Sequence, residues 1–103
     1  MENFVYIYNE YYDRYAFEEM VVKVFGNRIN ARKHLRKRIL EYSGKSNPLS
    51  ATEIEKNIEE PIKDFFQKFN IQLMPEDVCS EELVIFSNDQ DCRYWQIIER
   101  SIE

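Results

Sequence analysis

Phe4-Val5-Tyr6-Ile7-Tyr8-Asn9-Glu10-Tyr11-Tyr12 and, four residues on, Phe17-Glu18-Glu19-Met20-Val21-Val22-Lys23-Val24-Phe25 decide the fold. Both stretches are rich in β-branched and aromatic residues, which fit a pleated, half-buried surface, so both are read as strands. In the second, Phe17, Glu19, Val21, Lys23 and Phe25 fall on one face, and Glu18, Met20, Val22 and Val24 on the other. The intervening Asp13-Arg14-Tyr15-Ala16 is read as a turn, too short for a crossover, so the two strands form an antiparallel hairpin.

Downstream the period changes. Gly26-Asn27 ends the hairpin, and Asn27 is a suitable N-cap for a helix from Arg28 to Tyr42. Ala31, Leu35, Ile39 and Tyr42 share one face of that helix, while Ile29 and Leu40 lie nearly opposite, among Lys33, Arg36 and Lys37. Ser43-Gly44 terminates it. A second helix is expected from Ser50 or Thr52, with Thr52-Glu53-Ile54-Glu55 as a capping box and a core stripe of Ile54, Ile58, Ile62, Phe65 and Phe69. Pro61 should kink or break it, and Asn70 should stop it. Residues 71–82 read as irregular and acidic. Leu83 to Phe86 and Arg93 to Ile98 read as strands flanking a turn at Ser87-Asn88-Asp89-Gln90-Asp91. The expected fold is a single α+β domain in ββααββ order. Its two hairpins join in one antiparallel sheet, with two helices packed on one face.

Composition bounds the function. The chain has 103 residues, 44% of them apolar, enough for one core. No apolar run reaches the roughly 18 residues a membrane span needs. Met1-Glu2-Asn3 carries none of the basic character of a signal peptide, and Cys79 and Cys92 make no disulfide framework; both point to a reducing cytoplasm. Two cysteines 13 apart and one histidine do not make a zinc site, and two glycines do not make a phosphate loop. Asp89-Gln90-Asp91 and Glu76-Asp77 lack the sharp-turn glycine of a calcium loop and read as acidic turns. No cofactor, metal or catalytic residue is expected.

Net charge is −5, unevenly spread. Arg28, Arg32, Lys33, Arg36, Lys37 and Arg38 fall in one acid-free segment, leaving the other eight bases against all 19 acids, a balance of −11. This basic helix could lie along phosphate or dock on an acidic protein, or its charges could pair with the chain's own acids, and the last is favoured. Tyr6, Tyr8, Tyr94 and Trp95 could stack bases, but strand aromatics more often fill a core. Tyr11, Tyr12 and Tyr15 gather at the first hairpin tip and are candidate interface anchors. The candidate partner-binding residues are therefore Tyr11, Tyr12, Tyr15, Arg32, Lys33, Arg36, Lys37, Glu76, Asp77, Asp89 and Asp91. A monomer is preferred, with the second helix covering Ile29 and Leu40; a twofold dimer is the alternative.

The opening Val5-Tyr6-Ile7-Tyr8-Asn9-Glu10-Tyr11-Tyr12, then Val21-Val22-Lys23-Val24-Phe25 and a helix, then the closing Tyr94-Trp95-Gln96-Ile97-Ile98-Glu99, resemble the small accessory proteins of phages and mobile elements. Among these are the anti-CRISPR inhibitors. The resemblance implies a short, acidic, non-enzymatic protein of a host bacterial cytoplasm. Such a protein binds a defence nuclease, such as a Cas nuclease, and occupies its nucleic-acid-binding or mobile surface. The acidic stretches 53–60 and 76–91 would imitate phosphate. The resemblance assigns no site residue. The alternative is a nucleic-acid-binding regulator that uses Arg32, Lys33, Arg36 and Lys37 on phosphate.

Overall fold

The two aromatic-rich stretches pair as expected. In the computed structural model, which describes residues 3–14, 17–87 and 91–102, β1 (Asn3–Arg14) runs antiparallel to β2 (Phe17–Phe25), with Tyr8 opposite Lys23. β1 thus continues through Asp13 and Arg14, which the sequence placed in the turn; Tyr15 and Ala16 lie outside the described residues. α1 (Arg28–Tyr42) starts at Asn27, whose side chain accepts the Asn30 amide at 2.8 Å. Its end is closed by Gly44 at φ 70°, a left-handed conformation that costs glycine little. The Lys45 amide donates to the Leu40 carbonyl and that of Gly44 to the Glu41 carbonyl.

The second helical segment departs from expectation in two ways. α2 (Pro48–Lys56) begins earlier, with Asn47 as cap, Pro48 in the first turn and Ser50 completing a reciprocal capping box, so Thr52 is already interior. Asn47 prevails because its carboxamide reaches the third helical amide while Pro48 requires no donor. Then Pro61, lacking an amide, gives a full break, and α3 (Ile62–Lys68) is a separate helix. Asn70, at φ 58°, closes α3 as Gly44 closes α1.

Residues 71–82 hold a short strand, β3 (Val78–Ser80), paired with β4 (Leu83–Ser87), where the sequence reading had only loop. β5 (Asp91–Ile102) outlasts the expected Arg93–Ile98 because every residue from Asp91 onward has a partner on β1. The result is one five-stranded antiparallel sheet, ordered β2-β1-β5-β4-β3, in a mixed α+β fold whose helices lie on one side. Between sheet and helices the core holds Tyr8, Val84, Trp95 and Ile97 against Leu35, Ile39, Leu40, Phe65 and Phe66. Tyr8 and Trp95 are fully buried and Tyr6 packs half-buried against the core, as the core reading has it. Tyr94 departs from it, because alternation along β5 turns it to the opposite face, in the row of Tyr11 and Ile85. Leu40 is buried under α2, which supplies the intrachain cover expected for that side of α1. No helix among the described residues is long and apolar enough to cross a membrane.

Candidate partner-binding surfaces

Alternation along each strand sends side chains to opposite faces. Tyr6, Tyr8, Glu10 and Tyr12 of β1 point toward the helices, as do Trp95 and Ile97 of β5. On this side the charges are tightly organised. Glu10 is buried and accepts hydrogen bonds from Arg38 (2.9 and 3.0 Å), from Arg93 (3.0 Å) and from the Tyr8 hydroxyl (2.5 Å). Burial alone would raise its pKa, but these donors outweigh burial and hold it down to about 2. Desolvation, and then the same buried carboxylate, push the Tyr8 hydroxyl well above its ordinary range. Arg93 also stacks on Tyr12, Tyr42 and Trp95, within 4.6 to 5.8 Å of each ring centre.

Arg36 forms a second hub. It is fully buried and donates to the Glu60 carbonyl at 2.7 Å and the Glu81 carboxylate at 2.9 Å, and lies over the Phe65 ring. Glu81 in turn accepts the first amide of α3, from Ile62, at 2.8 Å. One guanidinium thus ties together α1, the break between α2 and α3, and the β3–β4 turn.

Three more bases of the helix form ion pairs nearer the surface. Arg28 bonds Glu82 and Glu99, Arg32 bonds Glu82, and Lys33 bonds Glu55. Of the four basic candidates, Arg36 is interior, Arg32 and Lys33 are half-buried ion-pair partners, and Lys37 is exposed. A groove of about 450 Å³ between α1 and α2 is lined by Lys33, Lys37 and His34 over Phe25, Leu40 and Ile54. His34 packs edge-on against Tyr8 and also against Phe25. Burial first, and then Lys23, Arg38 and Lys37, lower its pKa, so it favours the neutral form.

The other candidates do not converge. Tyr11 and Tyr12 lie on opposite faces of β1, Tyr12 under Arg93 and Tyr11 against Tyr94. Asp77 closes its own loop, accepting the Met74 amide at 2.9 Å and the Ser87 amide at 3.1 Å, and Glu76 is exposed. Tyr15 and Asp89 lie outside the described residues; of Asp91 the backbone, at the start of β5, is described. Cys79 and Cys92 are free thiols, and burial pushes that of Cys79 up to about 11. Among the described residues no cluster of His, Cys, Asp and Glu could hold a metal ion.

The open side of the sheet is the surface the sequence reading missed. Among the described residues no helix packs on it. Val24, Ile7 and Ile98 form one row across β2, β1 and β5; Val22, Asn9, Gln96 and Leu83 form the next; Tyr11, Tyr94, Ile85 and Val78 follow, the last on β3. Val22 and Val24 are 55% and 59% exposed. One-sided antiparallel sheets normally turn polar residues to water; here Val22 and Val24 face out while Lys23 points inward over Phe25. The pattern was visible in residues 17–25, whose Met20, Val22 and Val24 face is the more apolar of the two. Comparison with known proteins finds no matching family model, no matching curated protein and no matching solved structure.

Proposed function

We propose that this chain works by binding another protein, without chemistry of its own, and that the open apolar face of its sheet is the contacting surface. That face carries the reading. Soluble proteins rarely expose a contiguous apolar patch of more than a few hundred Å² unless it is used. On the other side of the sheet Glu10, Tyr8 and Arg38 are engaged by one another and by Arg93, in a network that supports the fold.

In its narrower form the target is a bacterial nucleic-acid-handling enzyme, a defence nuclease inhibited in the manner of the anti-CRISPR proteins. The supports are the sequence resemblance and the net charge of −5, which suits a cationic target surface. Direct nucleic-acid binding through Arg32, Lys33, Arg36 and Lys37 has less support, since Arg36 is buried and Arg32 and Lys33 are already paired. A cleavage assay with candidate Cas nucleases, run alongside a pull-down of each purified nuclease, tests the narrower form. Inhibition that Val22→Glu abolishes is expected; no binding and unimpaired cleavage across the panel would refute it. A mobility shift that weakens steeply with salt, and is lost on charge reversal at Lys33 and Lys37, would favour the alternative.

A further inference from the structure

We infer that the protein docking on the open sheet face is a second copy of this chain, the two sheets stacking face to face about a twofold axis. This rests on the reading that the face contacts protein, and names the partner.

Area is the first argument. Five strands of 9, 12, 12, 5 and 3 residues form the face. At about 4.8 Å between strands and about 3.4 Å per residue they present on the order of 600 Å² per copy. Two copies then bury on the order of 1,200 Å², at the lower edge of stable, specific interfaces. Sheets pack in this way in sandwich folds, about 10 Å apart with their strands nearly aligned.

Charge is the second argument. A twofold contact sets the same patch against itself, residue i against j and j against i, so a face of one charge sign throughout would repel itself. The chain carries 19 acids, yet the three central rows, Val24-Ile7-Ile98, Val22-Asn9-Gln96-Leu83 and Tyr11-Tyr94-Ile85-Val78, contain no carboxylate and no ammonium; the acids of this face, Asp13 and Glu18, fall in the row beyond Tyr11, at one end. Arg100 is exposed near one end of the face, opposite Val5. The polar groups at the centre are the Asn9 and Gln96 carboxamides, adjacent across β1 and β5. Each carries both donor and acceptor, so each can bond its own counterpart across a twofold axis. The centre of the face is uncharged within a strongly acidic molecule, and its charged residues sit at opposite ends, Asp13 and Glu18 at one and Arg100 at the other, so that a twofold turn brings unlike ends together.

Light scattering of the purified protein at micromolar concentration tests the inference. The expected mass is twice 12.6 kDa. Val22→Glu and Val24→Glu should each weaken association at least about a hundredfold, because the symmetry buries two unpaired carboxylates per substitution. Both side chains are more than half exposed in the single chain, so either variant can fold; an unchanged far-ultraviolet spectrum checks that. Leu49→Glu, on exposed α2, should leave the dimer intact. A 12.6 kDa particle throughout the micromolar range, or a dimer indifferent to both glutamates, would overturn the inference. If the protein is a monomer and Val22→Glu abolishes binding of a nuclease, the face still contacts protein and only the homotypic partner is wrong. If neither association nor target binding responds, both readings fail.

Discussion

The two faces of this sheet are built from the same strands by alternate residues, yet they solve opposite problems. The covered face combines an apolar core with buried charge: Glu10 between two guanidinium groups and a hydroxyl, and Arg36 among carbonyls and a carboxylate. The open face carries Val22, Val24, Ile7, Ile98 and two carboxamides with no helix above them. Hydrophobicity along the strand does not separate the two. Tertiary packing does, because α1 follows β2 immediately and must return across β1 and β5 on one side, and α2 and α3 join it there.

The comparison is broken most severely at Glu10. Glu10→Ala leaves Arg38 and Arg93 without their shared carboxylate and should cost about 4 kcal/mol. For a domain of this size that lowers the melting temperature by very roughly 20 °C. A loss of less than a few degrees would mean that the network contributes little to the fold.

Acid acts on the same group somewhat more gently. Its folded pKa, about 2, lies below the ordinary 4.5, so the unfolded chain binds the proton first as pH falls. The stabilisation is complete above pH 4.5 and is lost as pH drops toward 2, on the order of 3 kcal/mol in all. Urea midpoints across that window should fall for the native protein and much less for Glu10→Gln. Parallel curves would assign the acid sensitivity elsewhere.

Arg36→Met comes next. It keeps the contact with Phe65 but leaves the Glu60 carbonyl and Glu81 without their donor. Because Glu81 is partly exposed, water can replace that bond, and the cost should be about 2 kcal/mol, read by chemical denaturation. The smallest effect belongs to the open face. Val24→Thr, at high dilution, should change stability by less than about 0.5 kcal/mol, since the side chain already faces water in the single chain. A larger effect under those conditions would mean that this face is packed within the chain itself, and the contrast between the faces would collapse.

The first hairpin, the limits of α1 and the break at Pro61 were legible in the sequence, because each depends on neighbours a few residues apart. Asn27 caps α1 locally, Gly44 supplies a left-handed residue, and Pro61 lacks a donor wherever it sits. The start of α2 was misread because two cap signals, Asn47-Pro48-Leu49-Ser50 and Thr52-Glu53-Ile54-Glu55, compete within nine residues; the reciprocal bonds of Asn47 and Ser50 decide between them. β3 went unseen because a three-residue strand has no period of its own and exists by pairing with β4.

The sequence by itself determined the local elements, the division of charge into a basic helix and an acidic remainder, and the self-pairing that such a division invites. Only the tertiary structure decided which carboxylate meets which base, since the partners lie as far as 83 residues apart, as for Arg93 and Glu10. It also decided that Arg36, one of six similar charges on a helix, becomes interior while Lys37 beside it stays in water. The sidedness of the sheet was settled there too. Alternation divides each strand into two sets of side chains, but burial is a property of what packs above them, and the connection from β2 into α1 placed α1 over Tyr8 and Glu10, with α2 packed on α1 and α3 beside β3, and left Val22 and Val24 uncovered.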